Sequence, residues 1–187
     1  DLFKRTCNAC FFRDDSIMSR KRTHLRALEP EDIDILEKVE NDISYWNYSN
    51  QTEPLSIHTL KQFIAEQHRD IFEVRQKRFV ISDIQKNVLG FIDLFDFEPI
   101  HRRAGVGLLI LESYRRKGVG KQALILLSSY AQNQLNIKTL FANIAIENAA
   151  SIQLFQSLDY SKAGHKKDWN FYDGCFHDEY LYLKQLH

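Results

Sequence analysis

The sequence predicts an α/β fold in which one mixed β-sheet carries helices on both faces. Three strand-like segments, residues 77–82, 88–95 and 103–111, follow one another without a helix, whereas the later strands alternate with helices. At 187 residues the chain is long enough for one domain with a full hydrophobic core. We expect residues 21–187 to form that domain and residues 1–20 to be an N-terminal extension.

The N-terminal part of the domain is predicted to contain one strand and two amphipathic helices. Residues 23–28 alternate polar and apolar side chains, which predicts the strand. Pro30 stands where the first helix would begin, and Ser56 would cap the second. The apolar positions of the two helices are Ile33, Leu36, Val39 and Ile43 in the first and Leu60, Phe63 and Ile64 in the second. Residues 45–55 between them are polar and aromatic and are predicted to form a loop.

The remaining elements follow from hydrophobic patterning and turn residues. A polar turn at residues 83–87 joins the first two of the three consecutive strands. A helix is predicted from Lys121 to Leu135, with one apolar face. That face consists of Leu124, Leu127, Ser128, Ala131 and Leu135. Residues 139–146 are predicted as a buried strand and residues 148–158 as a helix. Two last strands flank a hairpin turn at Asp173-Gly174.

The most informative segment is the basic, glycine-containing loop between the strand at 103–111 and the helix that follows it. It reads Arg115-Arg116-Lys117-Gly118-Val119-Gly120-Lys121. Two glycines between a strand and a helix let backbone N–H groups converge on one point, and the helix N-terminus adds partial positive charge. The segment therefore predicts a site for a diphosphate group.

Two known phosphate-binding patterns fit this loop poorly. A P-loop requires glycine where Arg115 stands and a serine or threonine where Gln122 stands. A dinucleotide fingerprint is formally met by Gly118, Gly120 and Ala123, but the basic triplet before it and the absence of an early βαβ repeat argue against that interpretation.

A third pattern fits better. Arg115-x-x-Gly118-x-Gly120 resembles the acyl-CoA loop of the GNAT superfamily of N-acetyltransferases. The segment Asn148-Ala149-Ala150-Ser151-Ile152-Gln153-Leu154-Phe155 resembles a second motif of that superfamily, Asn-x-x-Ala/Ser-x-x-Leu-Tyr. The resemblance extends over residues 23–186. Within the superfamily, residues 90–93 through 101–104 are similar to the spermidine and diamine N-acetyltransferase branch.

The resemblance implies a single domain with a twisted, mostly antiparallel sheet of about six to seven strands. It also implies transfer of an acetyl group from acetyl-CoA to a primary amine of a small polyamine or diamine. Two alternatives stay open: a protein or peptide N-terminal acetyltransferase of the same fold, and a non-catalytic acyl-CoA-binding module. Members of this branch commonly self-associate, so a homo-oligomer is expected.

The cofactor-binding residues implied by the resemblance lie in three segments. The backbone of Leu108, Leu109 and Ile110 would hold the thioester arm and polarise its carbonyl. The diphosphate would lie on Arg115, Arg116, Lys117, Gly118, Val119, Gly120 and Lys121. Asn148, Ser151 and Phe155 would contact the pantetheine arm, although Asn148 is equally suited to a helix N-cap. The side chains of residues 108–110 are expected to be ordinary core.

The catalytic residues are less well defined. An amine must lose a proton before it attacks, since its pKa is near ~10.4. Asp96 is the first choice for a carboxylate that contacts the cationic substrate, and Asp93 and Glu112 are weaker candidates. The usual tyrosine that protonates the leaving thiolate is replaced by Phe155, so water, Tyr160 or Tyr114 would have to substitute. Aromatic residues that would rim the acceptor side are Tyr45, Trp46, Tyr48, Trp169, Phe171 and Tyr172.

Composition limits the remaining function classes. The formal net charge is +0, which does not suggest a nucleic-acid partner. No segment approaches the roughly 18 apolar residues of a membrane helix. Three cysteines, an odd number, do not suggest a disulfide framework, and Cys7 and Cys10 have no second ligand pair nearby, so no metal site is expected. A cytoplasmic location is the resulting expectation.

Overall fold

The structure, a computed structural model, describes residues 23–46 and 53–187. The strands are β1 (His24–Ala27), β2 (Lys77–Ser82), β3 (Val88–Glu98), β4 (Arg103–Ile110), β5 (Thr139–Ala145), β6 (Ser161–Tyr172) and β7 (Cys175–Gln185). The helices are α1 (Ile33–Glu40), α2 (Ile43–Trp46), α3 (Ile57–Glu66), α4 (Ile71–Val74), α5 (Val119–Leu135) and α6 (Ala149–Gln156). Short 3₁₀ turns at Pro30–Asp32 and Glu112–Tyr114 precede α1 and follow β4.

The seven strands form one sheet in the order β1-β2-β3-β4-β5-β7-β6. Every neighbouring pair is antiparallel except β4 and β5, which are parallel. The predicted mixed, mostly antiparallel sheet is therefore confirmed. The insertion of β7 between β5 and β6 was not predicted, because hairpin patterning does not tell which strand of the hairpin joins the sheet.

The central strands β4 and β5 pair over only part of their length. Partners run from Arg103 with Thr139 to Gly105 with Phe141, and no pairing follows. Beyond this point β4 continues to Ile110 and β5 continues to Ala145. The two strands therefore separate into a wedge-shaped gap, which is closed at Gly105 and open toward Ile110.

Helices cover both faces of the sheet and define two cores. On one face α5 and α6 bury Leu124, Leu127 and Phe155 against Val106 of β4 and Leu140 of β5. On the other face α1 and α3 bury their apolar side chains against β2 and β3. The buried residues of this second core are Leu28, Leu36, Val39, Leu60, Ile64, Val80 and Phe91.

The structure corrects the predicted first helix and loop. Ile43 does not continue the apolar face of α1; it begins α2, and 70% of its surface is exposed. The break is caused by Asn41, whose side chain donates to the Leu55 carbonyl at 3.0 Å and accepts from the Leu55 amide at 2.7 Å. This tie turns the chain away from α1. The short helix α4 was also not predicted, since four residues carry no periodic signal.

Some sequence predictions lie outside the described residues. These are the N-terminal extension over residues 1–20, the cysteines Cys7 and Cys10, and the acceptor-side aromatic Tyr48. They stay predictions, as does the boundary of the acetyltransferase domain at residue 21.

Gly90 is required by the close approach of β3 to β4. A Cβ atom at this position would lie 2.1 Å from the carbonyl oxygen of Leu109. We expect Gly90→Ala to lower the free energy of unfolding by about 1–3 kcal/mol, because backbone must move to accept the methyl group. Gly164→Ala is the matched control, since its Cβ would lie an ordinary 3.5 Å from Leu181. Equal urea midpoints for the two variants would contradict the requirement for glycine at position 90.

Candidate active site

The gap between β4 and β5 exposes backbone groups of β4. Leu111 donates its N–H to the Leu89 carbonyl at 3.0 Å, and the register pairs Phe91 with Leu109. Because successive residues of a strand direct their N–H and C=O groups to opposite sides, Leu109 faces β3, whereas Leu108 and Ile110 face the gap. The structure thus brings two of the three predicted backbones to the gap and not that of Leu109, which belongs to the β3–β4 ladder.

The basic loop lies at the open end of the gap and leads directly into α5. Gly118 is the N-cap of that helix and has a left-handed backbone, with φ of 79°. Arg116 is also left-handed, with φ of 58°. The N–H groups of Val119, Gly120 and Lys121 in the first helical turn have no preceding helical carbonyl to which they can donate. Such free donors at a helix N-terminus are suited to bind an anion.

The cationic side chains of the loop are held by neighbouring carbonyl oxygens and rings. Arg115 donates from Nε to the Ile110 carbonyl at 3.1 Å, and its guanidinium lies 5.5 Å from the centre of the Tyr45 ring. Lys117 donates from Nζ to the Ser113 carbonyl at 2.6 Å. Arg115 therefore connects the loop to the gap and to α2. Positive side chains beside a helix N-terminus oppose its dipole, and a bound anion would offset that cost.

Gly120 brings the loop together with α6. A Cβ atom at Gly120 would lie 3.1 Å from Cδ2 of Leu154 and 3.3 Å from Cδ2 of Leu108. The two sequence motifs, although 30 residues apart in the chain, therefore meet at the gap. Asn148 caps α6 by accepting the Ser151 amide at 3.1 Å. With its oxygen in the cap, the side-chain NH₂ of Asn148 is the group that can donate to a ligand.

Phe155 and Tyr160 lie in the core. Each is 3% exposed, and their rings meet edge to face at 4.9 Å. The hydroxyl of Tyr160 is buried, and this burial raises the pKa of the phenol. The neighbouring Ser161 pairs with Leu183, which pairs with Phe141 at the closed end of the gap. The roles of Tyr160 as the acid and of Phe155 as a contact of the pantetheine arm stay predictions.

The predicted carboxylates lie in three different surroundings. Asp96 is exposed in an irregular part of β3 between Phe95, the partner of Gly105, and Glu98, so it lies beside the closed end of the gap. Glu112 is exposed in the 3₁₀ turn that precedes the basic loop. Asp93 is held by Arg78 in two hydrogen bonds of 2.7 and 2.8 Å. The irregularity of β3 between Phe95 and Glu98 has no signal in the sequence, and the role of Asp96 in substrate binding stays a prediction.

A polar group beside the gap was missed by sequence reasoning. Lys166 of β6 contacts Glu179 of β7 at 2.8 Å and Asn143 of β5 at 2.9 Å, and its Nζ lies 4.9 Å from the Trp169 ring centre. We call these four residues the ammonium cluster. Only Trp169 was predicted. An asparagine in an otherwise apolar strand was the available signal, but its partners depend on the β5–β7–β6 register.

The other aromatic residues predicted for the acceptor side lie in two places, on α2 and on the β6–β7 hairpin. Tyr45 contacts Arg115 of the loop, and Trp46 donates from Nε1 to the Glu40 carbonyl at 2.8 Å. On the β6–β7 hairpin, Phe171 is 64% exposed and Tyr172 stacks on His177 with ring centres 3.6 Å apart. The aromatic rim is thus divided between α2 and the hairpin.

Comparison with known proteins identifies the fold and chemistry. A family model described as acetyltransferase (GNAT) domain matches residues 22–161. The chain belongs to this family. It is accordingly an N-acetyltransferase with acetyl-CoA as co-substrate.

Individual relatives agree with this assignment. The chain is 25% identical over 162 residues to the spermidine N(1)-acetyltransferase of Vibrio cholerae, covering 86% of this chain and 92% of the relative. A structure of spermidine N-acetyltransferase from Vibrio cholerae with CoA and spermine superposes with a TM-score of 0.80 at 24% identity, covering 87% and 95% of the chains. A dodecameric structure from the same organism gives 0.73 at 26% identity, covering 87% and 93%.

Two further findings concern the described parts of the chain alone. None of the helices in residues 23–46 and 53–187 combines the length and apolar character needed to span a bilayer. Within the same residues, histidine, cysteine and acidic side chains do not gather in threes as ligands for a metal ion.

Proposed function

We propose that this enzyme transfers the acetyl group of acetyl-CoA to a primary amine of a small polyamine or diamine. The observation that carries the proposal is the ammonium cluster. Lys166 presents a primary ammonium, and its surroundings supply a carboxylate from Glu179, an amide oxygen from Asn143 and the face of Trp169. These are the groups that bind a protonated amine through charge, hydrogen bonds and cation–π attraction.

The ammonium cluster lies beside the gap between β4 and β5. Gly105 pairs with Phe141, so Asn143, two residues further along β5, stands across the gap from Gly107. Gly107 presents no side chain, which leaves room between the two strands. A polyamine held by the cluster would therefore place one nitrogen within reach of a thioester that lies along β4.

The backbone of β4 supports acetyl transfer. The N–H groups of Leu108 and Ile110 face the gap, where a thioester carbonyl would gain negative charge as the amine attacks. One backbone donor aimed at a developing oxyanion typically lowers a barrier by roughly 3–4 kcal/mol. The basic loop at residues 115–121 would hold the diphosphate of the coenzyme and so orient the thioester.

The relatives support the amine class and the assembly. Spermidine is the substrate in the name of the Vibrio cholerae relative, and spermine is bound in the structure that gives the higher TM-score. The dodecameric relative supports a homo-oligomer here as well.

Light scattering of the purified chain tests whether it forms a homo-oligomer. A monomeric mass at working concentration would contradict this prediction.

The ammonium cluster gives a prediction for substrate affinity. Glu179→Gln should raise KM for spermidine by roughly 10- to 100-fold, because a hydrogen bond to a charged group is worth about 1.5–3 kcal/mol. Lys166→Met should lower that KM, since the substrate would no longer compete with the enzyme's own ammonium. Initial rates of CoA release measure both. KM for acetyl-CoA should stay unchanged in each variant.

Glu66→Gln is the matched control, since it also removes one acidic charge but lies exposed at the end of α3. Its KM for spermidine should equal that of the wild type.

A panel of amines tests the identity of the acceptor. If a peptide N-terminus is acetylated while spermidine is inert, the acceptor is a protein; if CoA binds but no amine releases thiol, the chain is a binding module.

A further inference from the structure

A second cluster of reactive side chains stands at the turn end of the β6–β7 hairpin and involves the first residues of β7 and the segment that follows β5. Cys175 is exposed, and its Sγ lies 3.1 Å from Nε2 of His177. Nδ1 of His177 lies 3.0 Å from Oε1 of Glu147. The arrangement is a thiol, an imidazole and a carboxylate in line, which is the general geometry of an activated nucleophile.

The roles of the two imidazole nitrogens follow from their partners. A carboxylate can only accept, so Nδ1 of His177 donates to Glu147 and Nε2 is left to accept the thiol proton of Cys175. The hydrogen bond from His177 also holds the pKa of Glu147 below its ordinary value. Tyr172 stacks almost parallel on the imidazole, at 4° between planes, which fixes the ring orientation.

This cluster borders the segment at Asn148, which is predicted to contact the pantetheine arm of acetyl-CoA. Glu147 immediately precedes Asn148, the cap of α6, and the Ile146 amide donates to the Asp178 carbonyl at 3.2 Å. These ties hold the start of β7 against the end of β5, the strand that borders the open end of the gap. His177 has only 18% of its side chain exposed, while Cys175 faces solvent. The thiol is thus the accessible end of an ordered chain of hydrogen bonds.

We propose that Cys175 is an acyl-accepting thiol that takes the acetyl group from acetyl-CoA. Nε2 of His177 accepts the thiol proton, and Sγ bonds to the carbonyl carbon of the thioester. The bond between that carbon and the CoA sulfur then breaks, and the proton passes from the imidazolium to the CoA thiolate. The products are S-acetyl-Cys175 and free CoA, and no oxidant or reductant is needed.

The inference goes beyond the polyamine proposal and rests only on acetyl-CoA as co-substrate. A purely structural reading is that the three side chains tie the hairpin to β5. The two readings differ in what happens to the enzyme when no amine is present. If Cys175 is an acyl acceptor, its thiol becomes acetylated. If the three side chains only tie the hairpin to β5, it does not.

The test is to incubate the full chain with acetyl-CoA without amine and to map acetylation by peptide mass spectrometry. We expect one acetyl group on Cys175, removable by neutral hydroxylamine, as a thioester is. His177→Gln should slow its formation by roughly 10²- to 10⁴-fold, the usual effect of removing a positioned base. Glu147→Gln, at an exposed position, should slow it less and serves if His177→Gln does not fold.

Cys7 and Cys10 of the same chain act as internal thiol references. The proposal is overturned if Cys175 is acetylated no faster than these two, or if both variants leave its rate unchanged. Cys175→Ala assayed with spermidine separates the two proposals. Continued acetylation of spermidine by this variant leaves the polyamine proposal standing whatever the outcome at the thiol.

Discussion

Arg78→Met should lower the free energy of unfolding by about 3–5 kcal/mol, because it leaves two carboxylates without their shared cation. Arg78 is only 19% exposed and contacts Asp93 through Nε at 2.7 Å and through Nη2 at 2.8 Å. Its second partner is Glu40 at the end of α1. The cation also lies 5.1 Å from the Phe63 ring centre and 5.7 Å from that of Phe91.

The electrostatic balance at Arg78 explains the size of the effect. Burial alone would lower the pKa of the guanidinium, but the charges and hydrogen bonds of Asp93 and Glu40 raise it above its ordinary value. Methionine fills much of the volume but supplies no charge, so Asp93 and Glu40 would repel each other next to α1 and α3. The second core would loosen where it meets β2 and β3.

Urea unfolding measures this prediction, and Arg69→Met is the control. Arg69 pairs with Glu73 at 3.4 Å, but these side chains are 56% and 64% exposed. Exposed pairs of this kind contribute about 0.3–0.5 kcal/mol, so the control should unfold almost as the wild type does. A similar small loss for both variants would show that the buried pair contributes no more than a surface pair.

Gly118→Val should raise KM for acetyl-CoA by roughly 10- to 100-fold. Gly118 has φ of 79°, a conformation that a β-branched residue adopts only with strain. Relief of that strain would rotate the peptide groups that begin α5 and misdirect their N–H donors. Each hydrogen bond to a charged phosphate is worth about 1.5–3 kcal/mol, which gives the expected change.

Gly174→Val is the matched control for this loop variant. Gly174 also has a left-handed backbone, with φ of 77°, and a Cβ would meet nothing within 4 Å at either glycine. Both variants should lose a similar amount of stability, about 1–3 kcal/mol. KM for acetyl-CoA should rise only for Gly118→Val. An equal rise in both would mean that general destabilisation, rather than the loop, controls coenzyme affinity.

The parts of the site that could be predicted from sequence are local in the chain. The loop at residues 115–121 and the cap at Asn148 each depend on a few neighbouring residues, because a helix N-terminus is defined by backbone conformation and capping over one turn. Their meeting at Gly120 and Leu154 could be expected only from the family resemblance. The strand-to-helix order likewise predicted the mixed sheet.

The parts that could not be predicted depend on register. Asp96 and Tyr160 are close in sequence to functional segments, but an irregularity in β3 and the pairing of Ser161 place them toward the closed end of the gap. Conversely, Lys166 and Glu179 meet Asn143 only because β7 enters the sheet between β5 and β6. A shift of one residue would move each side chain to the opposite face.

A crystal structure with bound CoA would show whether the basic loop binds the diphosphate. We expect the diphosphate to lie within about 2.7–3.2 Å of backbone N–H groups between Gly118 and Lys121, with the pantetheine arm entering the gap between β4 and β5. Density for the coenzyme at any other place on the protein would contradict it, as would the absence of binding heat when CoA is titrated into the same preparation.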